Sequence, residues 1–126
     1  MDLREEFDPR LPLVRAYGPR HFVLATTRVE GTVLVVPEGW VRLGPRSLAQ
    51  LKVSDLEAAT EADPPIELLL IGSGRTIVEP PAALKEVITQ AGWRHEVMAT
   101  PPALRSFNLL LLDGRRVAGL FVAAEM

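Results

Sequence analysis

The stretch from Ile66 to Ala123 most constrains the fold, because three strand candidates there, the first and last strongly apolar, are separated by two segments of helical periodicity. Ile66–Ile71 reads as a buried strand. Pro80-Pro81 opens a helix in which Leu84, Val87, Ile88 and Ala91 fall at i, i+3, i+4 and i+7, one face of a helical repeat. Gly92 stands where a left-handed residue closes a helix. Trp93–Met98 predicts the next strand. Thr100 reads as the N-cap of a second helix, with Pro101 preset for its first turn and Ala103, Phe107, Leu110 and Leu111 on its inner face. Asp113-Gly114 ends that helix, and Arg116–Ala123 reads as a last strand, apolar on both faces. Strands alternating with helices pair in parallel through helical crossovers.

The first half is cut more finely. Eleven prolines and nine glycines divide the chain into short pieces. Residues 1–12 read as an irregular lead-in, blocked by Pro9 and Pro12. Leu13–Tyr17 reads as a short edge strand. His21–Ala25 and Arg28–Val36 predict an antiparallel hairpin turning near Thr26-Thr27, and Val33–Val36 is apolar enough to be buried on both faces. Pro37-Glu38-Gly39 is a turn, followed by a brief strand over Trp40–Leu43. Ser47–Thr60 predicts a helix with Leu48, Leu51 and Leu56 inward, or a later start at the capping box Ser54–Glu57. The expected fold is a single α/β domain over residues 1–126, three-layered, with a central mixed β-sheet, helical crossovers and an N-terminal antiparallel hairpin.

Composition excludes several functions. The net charge is −2 with no basic block, so the electrostatic footprint of nucleic-acid binding is missing. No apolar run approaches the roughly 18 residues of a membrane span, so direct membrane insertion is not expected. The start of the chain is charged and lacks the apolar core of a secretory signal. With no cysteine there are no disulfides, thiolate nucleophiles or sulfur ligands, which suits a cytoplasmic chain. Two distant histidines, His21 and His95, give no metal-ligand spacing, and no cofactor is implied.

Ligands of open α/β sheets sit beyond the carboxyl ends of the strands. Here that means Gly72-Ser73-Gly74-Arg75 and Met98 to Thr100. The loop amides and the Arg75 guanidinium would hold a carboxylate or phosphate; the competing reading is a tight turn with a solvated arginine. The Thr100 hydroxyl either faces the same cleft or only caps its helix. Asn108, a mediocre helix former, either bonds across to a neighbouring loop and fixes the cleft wall or sits polar on the helix flank. Arg115 and Arg116 either meet an acidic partner or are a solvated strand end. The dinucleotide fingerprint fails, since its third glycine would fall at Ile77, and no Walker motif exists. Ser73 lacks the nucleophile elbow and a nominated base.

Three segments carry a family likeness: Leu70-Ile71-Gly72-Ser73-Gly74, then Glu96-Val97-Met98-Ala99-Thr100 leading to Ala103, then Phe107-Asn108-Leu109-Leu110 followed by Asp113-Gly114-Arg115-Arg116-Val117-Ala118. Their order and spacing resemble the family of unknown-function domains that includes mitochondrial respiratory complex I assembly factor three and an adipogenesis-associated mammalian protein. Ser106-Phe107-Asn108 stands where relatives more often show Thr-Tyr-Asn, and Asp113 stands for Glu. The resemblance implies a three-layer α/β fold around a mixed sheet, and an assembly role rather than catalysis in the mitochondrial relative. The leading expectation is a non-enzymatic interaction or assembly-factor-like domain, whose protein partner is a membrane-complex subunit and whose place is cytoplasmic or peripheral to that complex. The rival is a small anionic-ligand binder or enzyme using the cleft at Gly72–Arg75 and Thr100. Self-association through the last strand is a third reading.

Overall fold

The computed structural model describes residues 11–123; the first ten residues of the expected lead-in lie outside them. Among the described residues, eight strands form two sheets. In the smaller, β1 (Val14–Gly18), β2 (His21–Leu24) and β3 (Thr27–Glu30) run antiparallel in that order. The larger contains β4 (Thr32–Val36), β5 (Gly39–Gly44), β6 (Leu68–Gly72), β7 (Arg94–Met98) and β8 (Val117–Phe121), in the order β5-β4-β8-β6-β7. β6 pairs in parallel with β7 and β8, and β4 pairs antiparallel with β5 and β8, so the sheet is mixed as expected. The helices are α1 (Glu57–Thr60), α2 (Ala82–Ala91) and α3 (Thr100–Leu112).

Strand alternation divides the core into two layers. Leu34, Val36, Leu69, Ile71 and Leu120 project to one face, against Leu48 and Leu56 and against Leu84 and Ile88 of α2. Val33, Val35, Leu70, Val117 and Phe121 project to the other, against α3 and against Phe22, Leu24 and Val29 of the small sheet. Phe107 of α3 meets Phe121 edge-on, with ring centroids 5.3 Å apart, the favoured aromatic arrangement.

The sequence expectation changes at four places. Arg28–Val36 is two strands in two sheets, split at Gly31. Gly31 has φ +83°, and a Cβ there would lie 2.6 Å from the Gly44 backbone, so only glycine permits the chain to fold over at that point. The predicted helix over Ser47–Thr60 is two 3₁₀ turns, Leu48–Gln50 and Val53–Leu56, ahead of the single-turn α1. Side chains restart the chain twice: Gln50 Oε1 accepts the Ser47 N–H at 2.8 Å, and the Asp55 carboxylate accepts the Lys52 N–H at 2.7 Å. The three leucines nonetheless bury as expected. On α3, Leu104 takes the inward place assigned to Leu110, which is only partly buried. Finally, β8 is the central strand of the large sheet, hydrogen-bonded on both edges, so it is not the edge strand through which a second copy could pair.

Candidate functional site

The carboxyl ends of β6, β7 and β8 meet the start of α3, as the open-sheet rule requires. Thr100 is the first residue of α3 rather than its N-cap, a place taken by Ala99. Its hydroxyl, on a residue only 2% exposed, donates to the Val122 carbonyl and accepts the Gly74 N–H, each at 2.9 Å. The Thr100 N–H returns to the Gly74 carbonyl at 2.8 Å, and the Val122 N–H donates to the Gly72 carbonyl at 2.8 Å. Gly72 lets α3 approach, since a Cβ there would sit 3.0 Å from Thr100 Cα and 3.2 Å from Ala103 Cβ.

Ser73 completes the junction. Its N–H donates to the Met98 carbonyl at 2.8 Å. Its hydroxyl donates to the Thr76 carbonyl at 2.7 Å, with the Met98 carbonyl at 3.2 Å, and accepts the Val78 N–H at 2.9 Å. The amides of Ser73 and Gly74, expected to line an anion nest, therefore point into the protein and are engaged there. Of Gly72–Arg75, Arg75 alone reaches solvent. It borders a shallow hollow of about 360 Å³ with Tyr17, Pro19, Ala99, Pro101 and Pro102.

The other expected residues lie apart. Asn108 stands eight residues along α3 from Thr100, roughly 12 Å at helical rise. Its Oδ1 accepts the Val14 N–H at 2.9 Å and its Nδ2 donates to the Val14 carbonyl at 2.8 Å, which docks β1 on the helix as a strand neighbour would. It thus bonds across to a neighbouring segment, but to β1 rather than to the glycine loop. Arg115 and Arg116 precede β8, at the opposite end of the sheet from Gly72. Arg115 pairs with Glu67; Arg116 pairs with Glu38 at 2.9 Å and also bonds the Pro64 carbonyl.

A second concavity, not foreseen from sequence, opens between the two sheets. This hollow of about 380 Å³ is bordered by Arg20, Glu30, Thr32, Arg42, Arg46 and Ala123, with Gly31 and Gly44 in its wall. Arg20 occupies the β1–β2 turn with φ +62° and is fixed there because its carbonyl accepts the Gly31 N–H at 2.7 Å. Buried Thr32 bridges the Arg46 carbonyl at 2.7 Å and the Ala123 N–H at 3.3 Å. Arg46 holds Asp55 in a two-pronged pair at 2.9 and 2.7 Å. Burial pushes the Asp55 carboxyl up, but the Arg46 guanidinium and the Lys52 N–H outweigh it and hold the group below its ordinary value. Glu30 is likewise lowered, chiefly by its hydrogen bond from Arg28 at 2.8 Å. Arg42 stands between this hollow and a neighbouring depression lined by Asp55, Glu57 and Glu61. The one sequence signal was Gly18-Pro19-Arg20, an arginine where a turn of this kind favours glycine.

Among the described residues, no group of three or more His, Asp or Glu side chains is placed to hold a metal ion, and no helix is long and apolar enough to cross a membrane.

The whole arrangement has known counterparts. A crystal structure of an outer membrane protein from Bartonella henselae superposes with a TM-score of 0.82 at 30% identity, over 92% of this chain and 97% of that one. An uncharacterised protein of Rhodobacter capsulatus is 31% identical over 104 residues, 82% of this chain and 78% of the relative. Mouse NADH dehydrogenase [ubiquinone] 1 alpha subcomplex assembly factor 3 is 26% identical over 113 residues, which are 90% of this chain but 60% of the relative's length. The model of a family described as "protein of unknown function (DUF498/DUF598)" matches residues 14–122, and the chain belongs to that family.

Proposed function

We propose that this domain is a non-enzymatic, assembly-factor-like interaction module that docks a subunit of a membrane-bound respiratory complex from the membrane surface, without inserting. One observation carries the reading. The loop after β6 is anchored at its base by Ser73 and Thr100, yet it presents exposed apolar side chains at its crest, Ile77 at 68% and Val78 at 45%. Arg75 of the same loop borders the hollow beside Tyr17, itself 51% exposed. A prefixed apolar surface with an aromatic and an arginine is the composition of a protein-binding hot spot, because ordering costs are already met. The relation to assembly factor 3 supports the same reading and supplies the class of partner.

The rival, a small anion held by Gly72–Arg75 with Thr100, has less support. The loop amides it would use are engaged internally, and only Arg75 remains to contact a ligand.

The test is affinity capture from the native host, including detergent-solubilised membranes, with wild type, Ile77→Asp and Arg75→Ala in parallel. A respiratory-complex subunit should come down in stoichiometric amount with wild type. Ile77→Asp should cut its recovery at least about ten-fold, the effect of losing roughly 1.4 kcal/mol. Equal recovery with that variant excludes the loop, and no stoichiometric partner at all overturns the reading.

A further inference from the structure

We infer that the hollow between the two sheets is a binding site for a small organic anion bearing a phosphate or carboxylate group. It shares no lining residue with the hollow beside Arg75.

Charge is the first support. The chain as a whole carries −2, yet three arginines and a single glutamate border this hollow. Arg46 is neutralised by Asp55, and Glu30 by Arg28. Among the described residues neither Arg20 nor Arg42 is within ion-pair distance of a carboxylate, Arg42 acting on Glu30 only at longer range, so two guanidiniums remain to act on whatever enters. A concave, partly apolar wall raises the field of such charges, since it replaces water that would screen them.

Construction is the second. Arg20 sits at φ +62°, where L-residues are uncommon and glycine is favoured. The turn itself calls for a positive φ at this position, and the chain fills it with arginine rather than glycine, which places a guanidinium on the border of the hollow. Gly31 and Gly44, both at positive φ, bring the backbone of the two sheets together behind it. Gln50 uses its Oε1 to accept the Ser47 N–H, which leaves its Nε2 as a donor at the rim.

Size is the third. At about 380 Å³ the hollow lies at the lower end of the range for small-molecule sites, and Pro45, Val122 and Ala123 give it an apolar side. Two guanidiniums on the border of a partly apolar hollow suit an oxyanion on a short carbon skeleton.

The experiment titrates inorganic phosphate and, separately, succinate into the protein by calorimetry and thermal shift, against sodium chloride at matched ionic strength. At least one should give saturable binding that chloride does not reproduce; which one responds separates phosphate from carboxylate recognition. Arg20→Gly and Arg42→Gln should each weaken that binding at least ten-fold. Arg20→Gly should melt no lower than wild type, because glycine suits φ +62°, so loss of binding there cannot be put down to unfolding. Arg75→Ala should bind as wild type. The inference is overturned if neither anion exceeds the chloride control, if both hollow variants bind unchanged, or if only Arg75→Ala loses binding.

Discussion

Two regions at the same end of the large sheet use their polar groups in opposite ways. At the Gly72–Thr100 junction, the loop amides, the Ser73 hydroxyl and the Thr100 hydroxyl all find partners inside the protein. Across β8, in the hollow under Gly31 and Gly44, Arg20 and Arg42 are left without a carboxylate partner among the described residues. A glycine-rich loop at the carboxyl end of a strand invites a ligand reading. Yet a backbone amide binds an anion only if the fold leaves it free, and here three strands and a helix converge and use those amides as their joint. The difference teaches that position in the fold nominates a site, whereas unsatisfied hydrogen-bonding and charge capacity decides it.

The sharpest way to break this comparison is Thr100→Val. Valine keeps the shape but strands the Gly74 N–H and the Val122 carbonyl in a buried setting. Each orphaned group costs on the order of 1–3 kcal/mol, so the expected loss is about 3 kcal/mol, or on the order of 10 °C in melting temperature. Thr100→Ser retains the hydroxyl and should recover most of it. If denaturant unfolding shows Thr100→Val within about 0.5 kcal/mol of wild type, the hydroxyl is not a structural joint and a ligand role returns to the loop.

Ser73→Ala should act in the same direction with a smaller effect. It removes a donor to Thr76 and an acceptor for Val78, both on a loop that is otherwise exposed. Water can replace those partners in part, so about 1–2 kcal/mol is expected. Amide exchange should rise at Val78 and leave β8 untouched. Faster exchange across the whole sheet would show that the loop belongs to the core rather than being pinned to it.

Much of the joint could be read in the sequence, and little of the hollow. Leu84, Val87 and Ile88 announced α2, Gly92 its end, and the apolar runs of β6 and β8 their burial on both faces, because each signal is local and periodic. The sequence also points to the same loop and the same threonine, but the partners of their hydrogen bonds depend on contacts over more than twenty residues. Gly31 inside an apparent strand was a legible sign of a close backbone approach, and reading it would have separated β3 from β4. The Ser47–Thr60 segment reads as a helix because Leu48, Leu51 and Leu56 fall at i, i+3 and i+8, positions that one helical face shares, whereas the local side-chain bonds of Gln50 and Asp55 that break it into separate turns leave no periodic sign. Arg20, Arg42 and Arg46 come together only because the small sheet folds over the large one, and no sequence period encodes that.

The smallest expected effect sharpens the comparison from the hollow's side, where Arg46 is engaged and its neighbours are not. Asp55 holds Arg46 and is kept below its ordinary carboxylate value by that guanidinium and by the Lys52 N–H, against the opposing push of burial. A carboxylate lowered in the folded state stabilises it fully only above the unfolded value, near pH 4, and that contribution fades as pH falls through the folded value. Asp55→Asn should therefore cost on the order of 1 kcal/mol at pH 7, since the pair is partly open to solvent. The melting curves of mutant and wild type should begin to draw together as pH falls through about 4 and should meet only below the lowered folded value, where Asp55 is protonated in both states. A difference that stays constant from pH 7 to pH 2 would mean that the pair is idle and that the loss comes from the amide's fit alone. Arg46 would then stand beside Arg20 and Arg42 as a third unengaged cation in the hollow, and the contrast with the Gly72–Thr100 joint would widen.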